Sequence, residues 1–378
     1  MRAREIGIHV AGEPGALNAI TDVPGVQVGM VTLIEDLAES DAACRTGVTA
    51  ILPLGREGIG TSVSAGIHAL NGNGEMTGSH WIAETGALTG PVMITNTHAV
   101  GTIHRGVIDW TSAHRPDLAM EWLLPVVAET WDGYLNSISE EYLRPHHAGQ
   151  AIDRATGGPV AEGSHGGGTG MNCYGFKGGN GTASRVVPFA DRRYTVGAFV
   201  QANFGARHEL TIQGLPMGDL DVPDPLSGDW FAHDRVRRSA TAPPGAGSVI
   251  AVIATDAPLL PLQCQALVRR VPLGLARTGT TGSHFSGDLF LGFSTGNAGA
   301  LDSGFPHGPE RLSQLTCVPW NHLDRFFTAV VQSIEEAVLN ALVNNNDMHG
   351  RSQHFSPALP VDQVQQRLRE GSRFLHGA

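Results

Sequence analysis

Cysteine and aromatic residues are scarce in this chain, which limits the sites it can form. Its 378 residues include 4 cysteines, and aromatic side chains make up 6% of the sequence. The cysteines lie far apart and form no CxxC pair, so a zinc knuckle and a redox pair are excluded and buried free thiols are expected. No HExxH motif occurs, and no two of the 17 histidines have helical metal-site spacing beside a carboxylate. We therefore expect neither a metal nor a cofactor.

Basic charge is scarce as well. The sequence has 25 lysine and arginine residues against 36 aspartate and glutamate residues, a formal net charge of -11. No basic cluster could neutralise a phosphate backbone, so nucleic acid is not an expected partner. Residues 1–13 contain no apolar core of signal-peptide length, and no uninterrupted apolar stretch approaches a membrane span. We expect a soluble, cytoplasmic protein with no membrane partner.

Glycine and hydrophobic residues, by contrast, are abundant. The 41% hydrophobic content supports a substantial core, and 49 glycines with 22 prolines indicate many tight turns and close backbone approaches. Six apolar runs predict buried strands. These runs are 26–34, 48–54, 92–95, 126–129, 196–202 and 248–255.

Helical spacing appears between and after these runs. It predicts helices at 99–114 and 257–271, the second with Asp256 as its N-cap and Pro258 in its first turn. A longer amphipathic helix is predicted at 323–342, with one face on a sheet. A shorter terminal helix or tail follows it. The mixture predicts one α/β layered domain spanning the whole chain.

The most informative junction joins an irregular connector, residues 217–247, to the strand that opens with Ser248. If the Ser248 hydroxyl attacks the Gly247 carbonyl, the peptide bond becomes an ester that water can open, and Ser248 becomes a new N-terminus. The released α-amine would titrate at about pH 7.7 to 8 and could accept a proton beside its own hydroxyl. On spacing alone the alternative remains that Ser248 simply opens a core strand.

Two further residues share one face of a strand-like stretch. Ser286 and Asp288 alternate with apolar residues there, so the hydroxyl and the carboxylate point the same way. Such a carboxylate can orient the hydroxyl and hold the proton that leaves a nucleophile. The alternative is a solvated strand face.

Asn203 and Glu129 each end a predicted strand. An asparagine amide fixed at a strand end suits an oxyanion donor, although Asn203 could also cap a turn before Gly205. An ionised Glu129 after an apolar run needs a cationic or hydrogen-bonded partner to offset its desolvation. A substrate ammonium group would serve, and so would an arginine in a structural ion pair.

Two other motifs match known sites only in part. The glycine clusters 166–170 and 178–181 complete neither GxGxxG nor the P-loop pattern, so they indicate close backbone approach to a substrate or to another strand. The stretch 292–296 matches the GxSxG nucleophile elbow, with Asp324 and His349 in the right chain order. That elbow requires a helix directly after the serine, whereas the residues that follow indicate a loop.

Taken together, these segments resemble the family of L-aminopeptidase D-esterases and β-peptidyl aminopeptidases. The resemblance runs from residue 17 through the C-terminal helix. Its most specific segments are 71–78, 95–98, 128–133, 166–171 and the Gly247-Ser248 junction.

The resemblance implies a four-layer αββα sandwich, like that of N-terminal nucleophile hydrolases but differently connected. It implies cleavage between Gly247 and Ser248 into chains 1–247 and 248–378, which stay together and assemble as homotetramers of such pairs. The substrates would be short peptides, amides or esters with a free N-terminal amine.

The resemblance also assigns roles. Ser248 would be the nucleophile, Asn203 an oxyanion donor, Ser286 and Asp288 the accessory pair, and Glu129 the anchor for the substrate amine. Some members have tyrosine where this chain has Trp131; tryptophan has no hydroxyl, so Trp131 is expected to be a pocket wall.

Two other functions remain open at this point. Ornithine acetyltransferase resembles this family in architecture and self-cleavage, although it uses threonine where this chain has Ser248. A small-molecule binding protein would keep the Gly247-Ser248 bond intact. The general base, either the Ser248 amine or the Ser286 and Asp288 pair, is not decided by the sequence.

Overall fold

The computed structural model describes residues 1–36, 41–226 and 245–376, with side chains up to residue 371. Much of the connector predicted at 217–247 therefore lies outside the described residues, including Pro243 and Pro244.

Strands and helices alternate along the chain. The strands are β1 (Gln27–Asp36), β2 (Ala43–Leu52), β3 (Val63–Gly72), β4 (Ala87–Leu88), β5 (Val92–Asn96), β6 (Val126–Thr130), β7 (Asn172–Cys173), β8 (Phe176–Lys177), β9 (Gly179–Phe189), β10 (Arg192–Asn203), β11 (Thr211–Ile212), β12 (Leu215–Pro216), β13 (Gly247–Thr255), β14 (Ser286–Ser294), β15 (Met348–His349) and β16 (Phe355–Ser356). The helices are α1 (Ser79–Thr85), α2 (Val100–His114), α3 (Pro116–Ala119), α4 (Pro145–Asp153), α5 (Pro261–Val268), α6 (Val271–Ala276), α7 (Asp324–Val343) and α8 (Val361–His376).

Two large sheets organise the described residues. One has the strand order β1-β2-β5-β6, and the other has the order β4-β3-β14-β13-β10-β9. In the larger sheet β13 pairs with β10 in the antiparallel sense and with β14 in the parallel sense. The strand that begins at Gly247 is therefore central and held on both edges.

Three hydrophobic clusters stack the elements into four layers. The middle cluster joins residues such as Ile250 and Val252 of β13 to Ile94 and Ala128 of the smaller sheet, so the sheets pack face to face. A second cluster places α5, α6 and α7 on the outer face of the larger sheet. A third places α2 and α4 on the outer face of the smaller sheet. The predicted αββα sandwich is confirmed.

Helix α7 is long and apolar enough to cross a membrane by length and composition, yet most of it is buried in the protein. It packs on β9 and β10, as the predicted amphipathic spacing requires. A Cβ on Gly181 of β9 would lie 1.9 Å from the Ala337 carbonyl oxygen, so glycine at this position lets the helix approach the sheet. This is the position of a core helix.

The predicted helix at 257–271 is wrong at its start. Helix α5 begins at Pro261, and α6 follows as a separate element. The Asp256 carboxylate accepts a hydrogen bond from the Thr195 backbone N–H at 2.7 Å, so it binds strand β10 and does not cap a helix.

The four cysteines differ in their exposure. Three are buried free thiols, as predicted, and Cys317 is exposed.

Candidate active site

Ser248 is the second residue of β13, and its side chain faces the smaller sheet. Side chains alternate along a strand, and Ile250 and Val252 lie in the core between the sheets, so Ser248 shares their face. Its Oγ accepts a hydrogen bond from the backbone N–H of Trp131 at 3.1 Å. Trp131 directly follows β6. The predicted nucleophile is thus buried between the sheets, beside the end of β6.

Asn203 lies directly opposite Ser248 in the β10-β13 register. Its Nδ2 donates to the Trp131 carbonyl oxygen at 2.9 Å, and its Oδ1 accepts from the Asn172 backbone N–H at 2.9 Å. Because one partner can only accept and the other can only donate, these two contacts fix the orientation of the amide. Nδ2 carries a second N–H that the Trp131 carbonyl does not use.

Two N–H groups lie at the ends of β6 and β10 near Ser248. The Trp131 backbone N–H contacts the Ser248 hydroxyl, and Asn203 Nδ2 contacts the Trp131 carbonyl from the strand position opposite Ser248. Preorganised N–H groups of this kind stabilise the negative oxygen of a tetrahedral intermediate. The sequence predicts Asn203 as a donor of this kind, which stays a prediction, and it did not indicate the main chain of Trp131, because a backbone N–H has no residue-type signal.

Glu129 lies on β6, two residues before Trp131, and its carboxylate is buried. One carboxylate oxygen accepts from the Glu75 backbone N–H at 3.0 Å, and the other accepts from the Thr97 hydroxyl. Burial raises the pKa of Glu129, and these two hydrogen bonds oppose that rise. Within the described residues Glu129 forms no salt bridge, so the arginine ion pair considered above is not present there.

A short glycine segment connects Glu129 to the nucleophile. A Cβ on Gly74 would lie 3.3 Å from Glu129 Oε1 and 3.1 Å from the Gly287 Cα. Gly287 is the residue that pairs with Ser248 in the β13-β14 register. Gly74 therefore lies between the Glu129 carboxylate and the strand residue that pairs with Ser248.

Ser286 and Asp288 form a buried pair on β14. The Ser286 hydroxyl donates to Asp288 Oδ1 at 2.5 Å, and Asn71 Nδ2 donates to Asp288 Oδ2 at 3.0 Å. Burial raises the pKa of Asp288, and the bonds from Ser286 and Asn71 oppose the rise. The side chains share one face, as the alternation predicts, but the solvated face considered as the alternative is wrong. Asn71 was not found from the sequence as a site residue, since asparagine is also a common turn residue.

The β13-β14 register places this pair beside the main chain of residue 248. Ser286 pairs with Gly247, and Asp288 pairs with Val249. Because side chains alternate, the pair lies on the opposite face of the sheet from the Ser248 hydroxyl. The Ser286 and Asp288 pair therefore flanks the main chain of residue 248 on the neighbouring strand.

The Trp131 indole packs on the turn that follows it. A Cβ on Gly133 would lie 2.4 Å from Trp131 Cζ2 and 3.0 Å from a methyl carbon of Ile138. The ring is only partly buried. This placement is compatible with the predicted pocket wall.

The GxSxG stretch is structural. Ser294 ends β14, and its hydroxyl donates to the Ala257 carbonyl at 2.5 Å and accepts from the Gly296 backbone N–H at 3.2 Å. A 3-10 turn, not an α-helix, follows it. Among the described contacts of Ser294, neither Asp324 nor His349 appears.

The glycine cluster at 166–170 is wedged between the two sheets. A Cβ on Gly167 would lie 2.2 Å from Gln201 Oε1 and 2.6 Å from the Ile94 carbonyl oxygen. Gln201 belongs to the larger sheet and Ile94 to the smaller one. The glycines thus allow close approach to neighbouring strands, which is one of the two predicted explanations.

Comparisons with known proteins agree with this geometry. A sequence profile of peptidase family S58 matches residues 18–356. β-Peptidyl aminopeptidase BapA of Sphingosinicella microcystinivorans is 44% identical over 380 residues, which cover 98% of this chain and 93% of the relative.

Solved structures give the same result. A β-aminopeptidase from a Burkholderia species has a TM-score of 0.87 at 42% identity, over 98% of this chain and 99% of that one. The L-aminopeptidase D-Ala-esterase/amidase of Ochrobactrum anthropi has a TM-score of 0.88 at 41% identity, with the same coverage. It is described as a prototype for the serine aminopeptidases and as a variant of the Ntn hydrolase fold. With this fold, this site and these relatives, the chain belongs to peptidase family S58 and is an aminopeptidase.

Proposed function

We propose that the protein cuts its own chain before Ser248 and then uses Ser248 to remove N-terminal residues from short peptides, amides or esters. One observation carries the proposal. Ser248 Oγ accepts a hydrogen bond from the Trp131 backbone N–H, and Ser248 is paired with Asn203 across the sheet. It is the second residue of the strand that begins at Gly247. These contacts support Ser248 as the nucleophile, with the Trp131 N–H and Asn203 Nδ2 as the oxyanion donors that we propose.

Processing requires a net transfer of one proton. The Ser248 hydroxyl attacks the Gly247 carbonyl carbon, and the carbonyl oxygen becomes an oxyanion beside Trp131 N–H and Asn203 Nδ2. The C–N bond breaks, the nitrogen of residue 248 gains the proton that the hydroxyl lost, and an ester joins Gly247 to Ser248 Oγ. Water then hydrolyses the ester. The raised pKa of Asp288 suits a group that holds and supplies a proton at that nitrogen.

Turnover uses the same atoms after the bond is cut. The free amine of Ser248 accepts the hydroxyl proton as Oγ attacks the substrate carbonyl, and the leaving amine or alcohol takes that proton. An acyl-enzyme on Ser248 remains, and water releases it. The Ser286 and Asp288 pair holds the amine from the other face of the sheet.

Glu129 makes the enzyme an exopeptidase in this proposal. An unpaired buried carboxylate is costly, and a substrate ammonium group supplies the missing cation. A blocked N-terminus cannot do so. The names of the relatives make β-aminoacyl compounds and D-alanyl esters and amides the first acyl groups to test.

The two products, residues 1–247 and 248–378, would remain one folded unit. In the larger sheet, β13 and β14 of the second product lie between β3 and β10 of the first. Separating the products would expose four strand edges, the hydrophobic cluster between the two sheets and the cluster between the larger sheet and its helices. We propose that such pairs assemble as homotetramers in the cytoplasm.

Mass spectrometry combined with an aminopeptidase assay tests the proposal. The wild-type protein should give fragments 1–247 and 248–378 and should cleave amino-acid anilides with a free amine. Ser248→Ala should give a folded chain of full length without activity. Cys317→Ser, an exposed side chain outside the site, is the control that should behave as wild type.

Two results would each refute a part of the proposal. One is full activity in an unbroken chain of 378 residues. The other is equal cleavage of free and N-acetylated anilides, which would remove the role of Glu129 and leave the nucleophile untouched.

A further inference from the structure

Lys177 is unusual in this sequence, because it is the one lysine among the 25 lysine and arginine residues. It is also completely buried on β8. Its Nζ donates to the carbonyl oxygens of Met171 at 2.8 Å and Gly178 at 3.0 Å. A fully desolvated ammonium group is unfavourable unless its hydrogen bonds are satisfied, so this lysine has a position-specific role.

The two carbonyls that bind Lys177 bracket the hairpin formed by β7 and β8. Lys177 pairs with Asn172 across this hairpin, and the Gly178 backbone N–H donates to the Met171 carbonyl at 2.9 Å. The ammonium group therefore closes the open end of the hairpin at the point where Asn172 lies. The Asn172 side chain is held separately by the Ser356 hydroxyl, which donates to its Oδ1 at 2.6 Å.

A continuous series of hydrogen bonds runs from this hairpin to the nucleophile. The Asn172 backbone N–H donates to Asn203 Oδ1, Asn203 Nδ2 donates to the Trp131 carbonyl, and the Trp131 N–H donates to Ser248 Oγ. Asn172 thus helps, together with the Trp131 carbonyl, to decide which end of the Asn203 amide faces Ser248. If the Asn172 N–H moved away, the amide could rotate and present its oxygen to the oxyanion, which would repel it.

We propose that Lys177 is a positioning residue for the oxyanion amide: by closing the 171–178 hairpin, it keeps the Asn172 N–H on Asn203 Oδ1 and therefore the Asn203 Nδ2 beside Ser248. This inference rests on the proposed oxyanion role of Asn203. It adds a residue that touches neither substrate nor nucleophile.

The shape of the ammonium group and the charges near the hairpin both favour lysine over arginine at position 177. Lysine has a compact ammonium with three rotatable donors, whereas the planar arginine fork is larger and needs room on both sides. Burial lowers the pKa of Lys177 to about 7, and the charge of Asp132 opposes that shift. Burial raises the pKa of Asp132 to about 7. Asp132 directly follows Trp131, so the buried lysine interacts with a charge next to the residue that Asn203 binds.

A double-mutant cycle between positions 177 and 203 tests the inference. Lys177→Met keeps an unbranched chain and removes the donors and the charge. It should lower kcat by about 10- to 100-fold, the scale of a slightly misplaced reacting group, with KM for a free-amine anilide unchanged. In the Asn203→Ala background, Lys177→Met should have almost no further effect on kcat, because the amide it positions is gone.

A matched control separates positioning from stability. Arg4→Met removes a partly buried cation that binds Glu336 and the Val10 carbonyl, away from the site. It should lower the melting temperature without changing kcat. If Lys177→Met does not fold, Ser356→Ala takes the place of Lys177→Met in the cycle. This variant removes the hydroxyl that holds the Asn172 side chain, and it should cause a smaller fall in kcat.

The outcomes of the proposal and of the inference are distinguishable. A normal kcat in Asn203→Ala would remove the oxyanion role and the inference with it. A second outcome is a low kcat in Asn203→Ala together with a fall in kcat from Lys177→Met that is equally large in the presence and absence of Asn203. It would keep the oxyanion role and overturn the inference. A normal kcat in Lys177→Met would also overturn it.

Discussion

Ser248 and Asn203 occupy directly opposed positions on the antiparallel strands β13 and β10. The relative position of the proposed nucleophile and the proposed oxyanion donor is therefore set by the register of a central sheet and not by a loop. A shift of one residue would turn one of the two side chains to the other face. Sites built on rigid elements hold reacting groups more accurately than sites on loops.

Replacing Asn203 by alanine tests that relationship. If Asn203 donates to the oxyanion, Asn203→Ala should lower kcat by about 100-fold or more with little change in KM, since the bond forms in the transition state. Asn297→Ala is the matched control, because Asn297 is also buried and bonds to the backbone of Leu259 and Thr316 outside the site. Steady-state kinetics with melting curves check both variants. Equal loss of kcat in the two variants would contradict the assignment.

Gly247 is the second position for which the register makes a prediction. A Cβ at this residue would lie 1.9 Å from the Asn203 carbonyl oxygen, so Gly247→Ala must push β13 away from β10. A displacement of about 1 Å can slow a reaction about 100-fold, and the variant should accumulate as the uncut chain.

Denaturing electrophoresis over time measures this processing. Gly90→Ala is the control, because Gly90 has open space around its Cβ position and no positive φ. It should be processed at the wild-type rate. Normal scission in Gly247→Ala would show that the close contact with Asn203 does not constrain the reaction.

Much of the fold could be predicted from periodicity, and the exceptions have physical reasons. Strand β13 is a run of β-branched and other apolar residues, which favours a buried strand. Strand β9 begins Gly179-Asn180-Gly181, residues that strands disfavour, and was not predicted. Its glycines become favourable only when α7 packs on them, and that contact is not visible in the local sequence.

The candidate site divides in a similar way. Side chains whose chemistry is recognisable, such as Ser248 and Glu129, could be proposed from residue type and from the family resemblance. The Trp131 N–H, the Asn172 N–H and the Asn71 amide could not. Each acts through a hydrogen bond that exists only once distant strands pair, so no local pattern predicts it.

The raised pKa of Glu129 predicts a pH dependence of substrate binding. The carboxylate must be ionised to bind an ammonium group, so kcat/KM should fall as the pH drops through a value above the ordinary 4.3 or so of glutamate. Glu129→Gln should abolish this acid limb and raise KM for free-amine anilides. Processing at Gly247-Ser248 should be unaffected, because this bond is internal to the chain and presents no free amine for Glu129 to bind. A parallel loss of processing would indicate a structural role for Glu129.

The same shift predicts the sign of a stability change. Folding raises the pKa of the Glu129 carboxyl, so ionisation of this group is less favourable in the folded state than in the unfolded state. The free energy of unfolding therefore falls as the pH rises through the raised pKa. Glu129→Gln should therefore melt at or above the wild-type temperature at neutral pH, and the difference should disappear in acid. Glutamine remains compatible with the site, because the Thr97 hydroxyl can rotate to accept. Calorimetry across the pH range checks this, and a lower melting temperature at neutral pH would contradict it.

Asp288 makes the last prediction, because it pairs with Val249, the residue directly after Ser248, and we assign it to the nitrogen of residue 248. That nitrogen is the leaving group in processing and the base in turnover, so Asp288→Asn should slow both reactions by about 100-fold or more. Asp256→Asn is the matched control: Asp256 is a partly buried carboxylate whose pKa burial also raises, but it binds the Thr195 N–H at the other end of β13. Rates of fragment formation and of anilide cleavage measure the two steps. If Asp288→Asn slowed turnover alone, the proton for the leaving nitrogen would have to come from another group, and the Ser286 and Asp288 pair would serve only the mature amine.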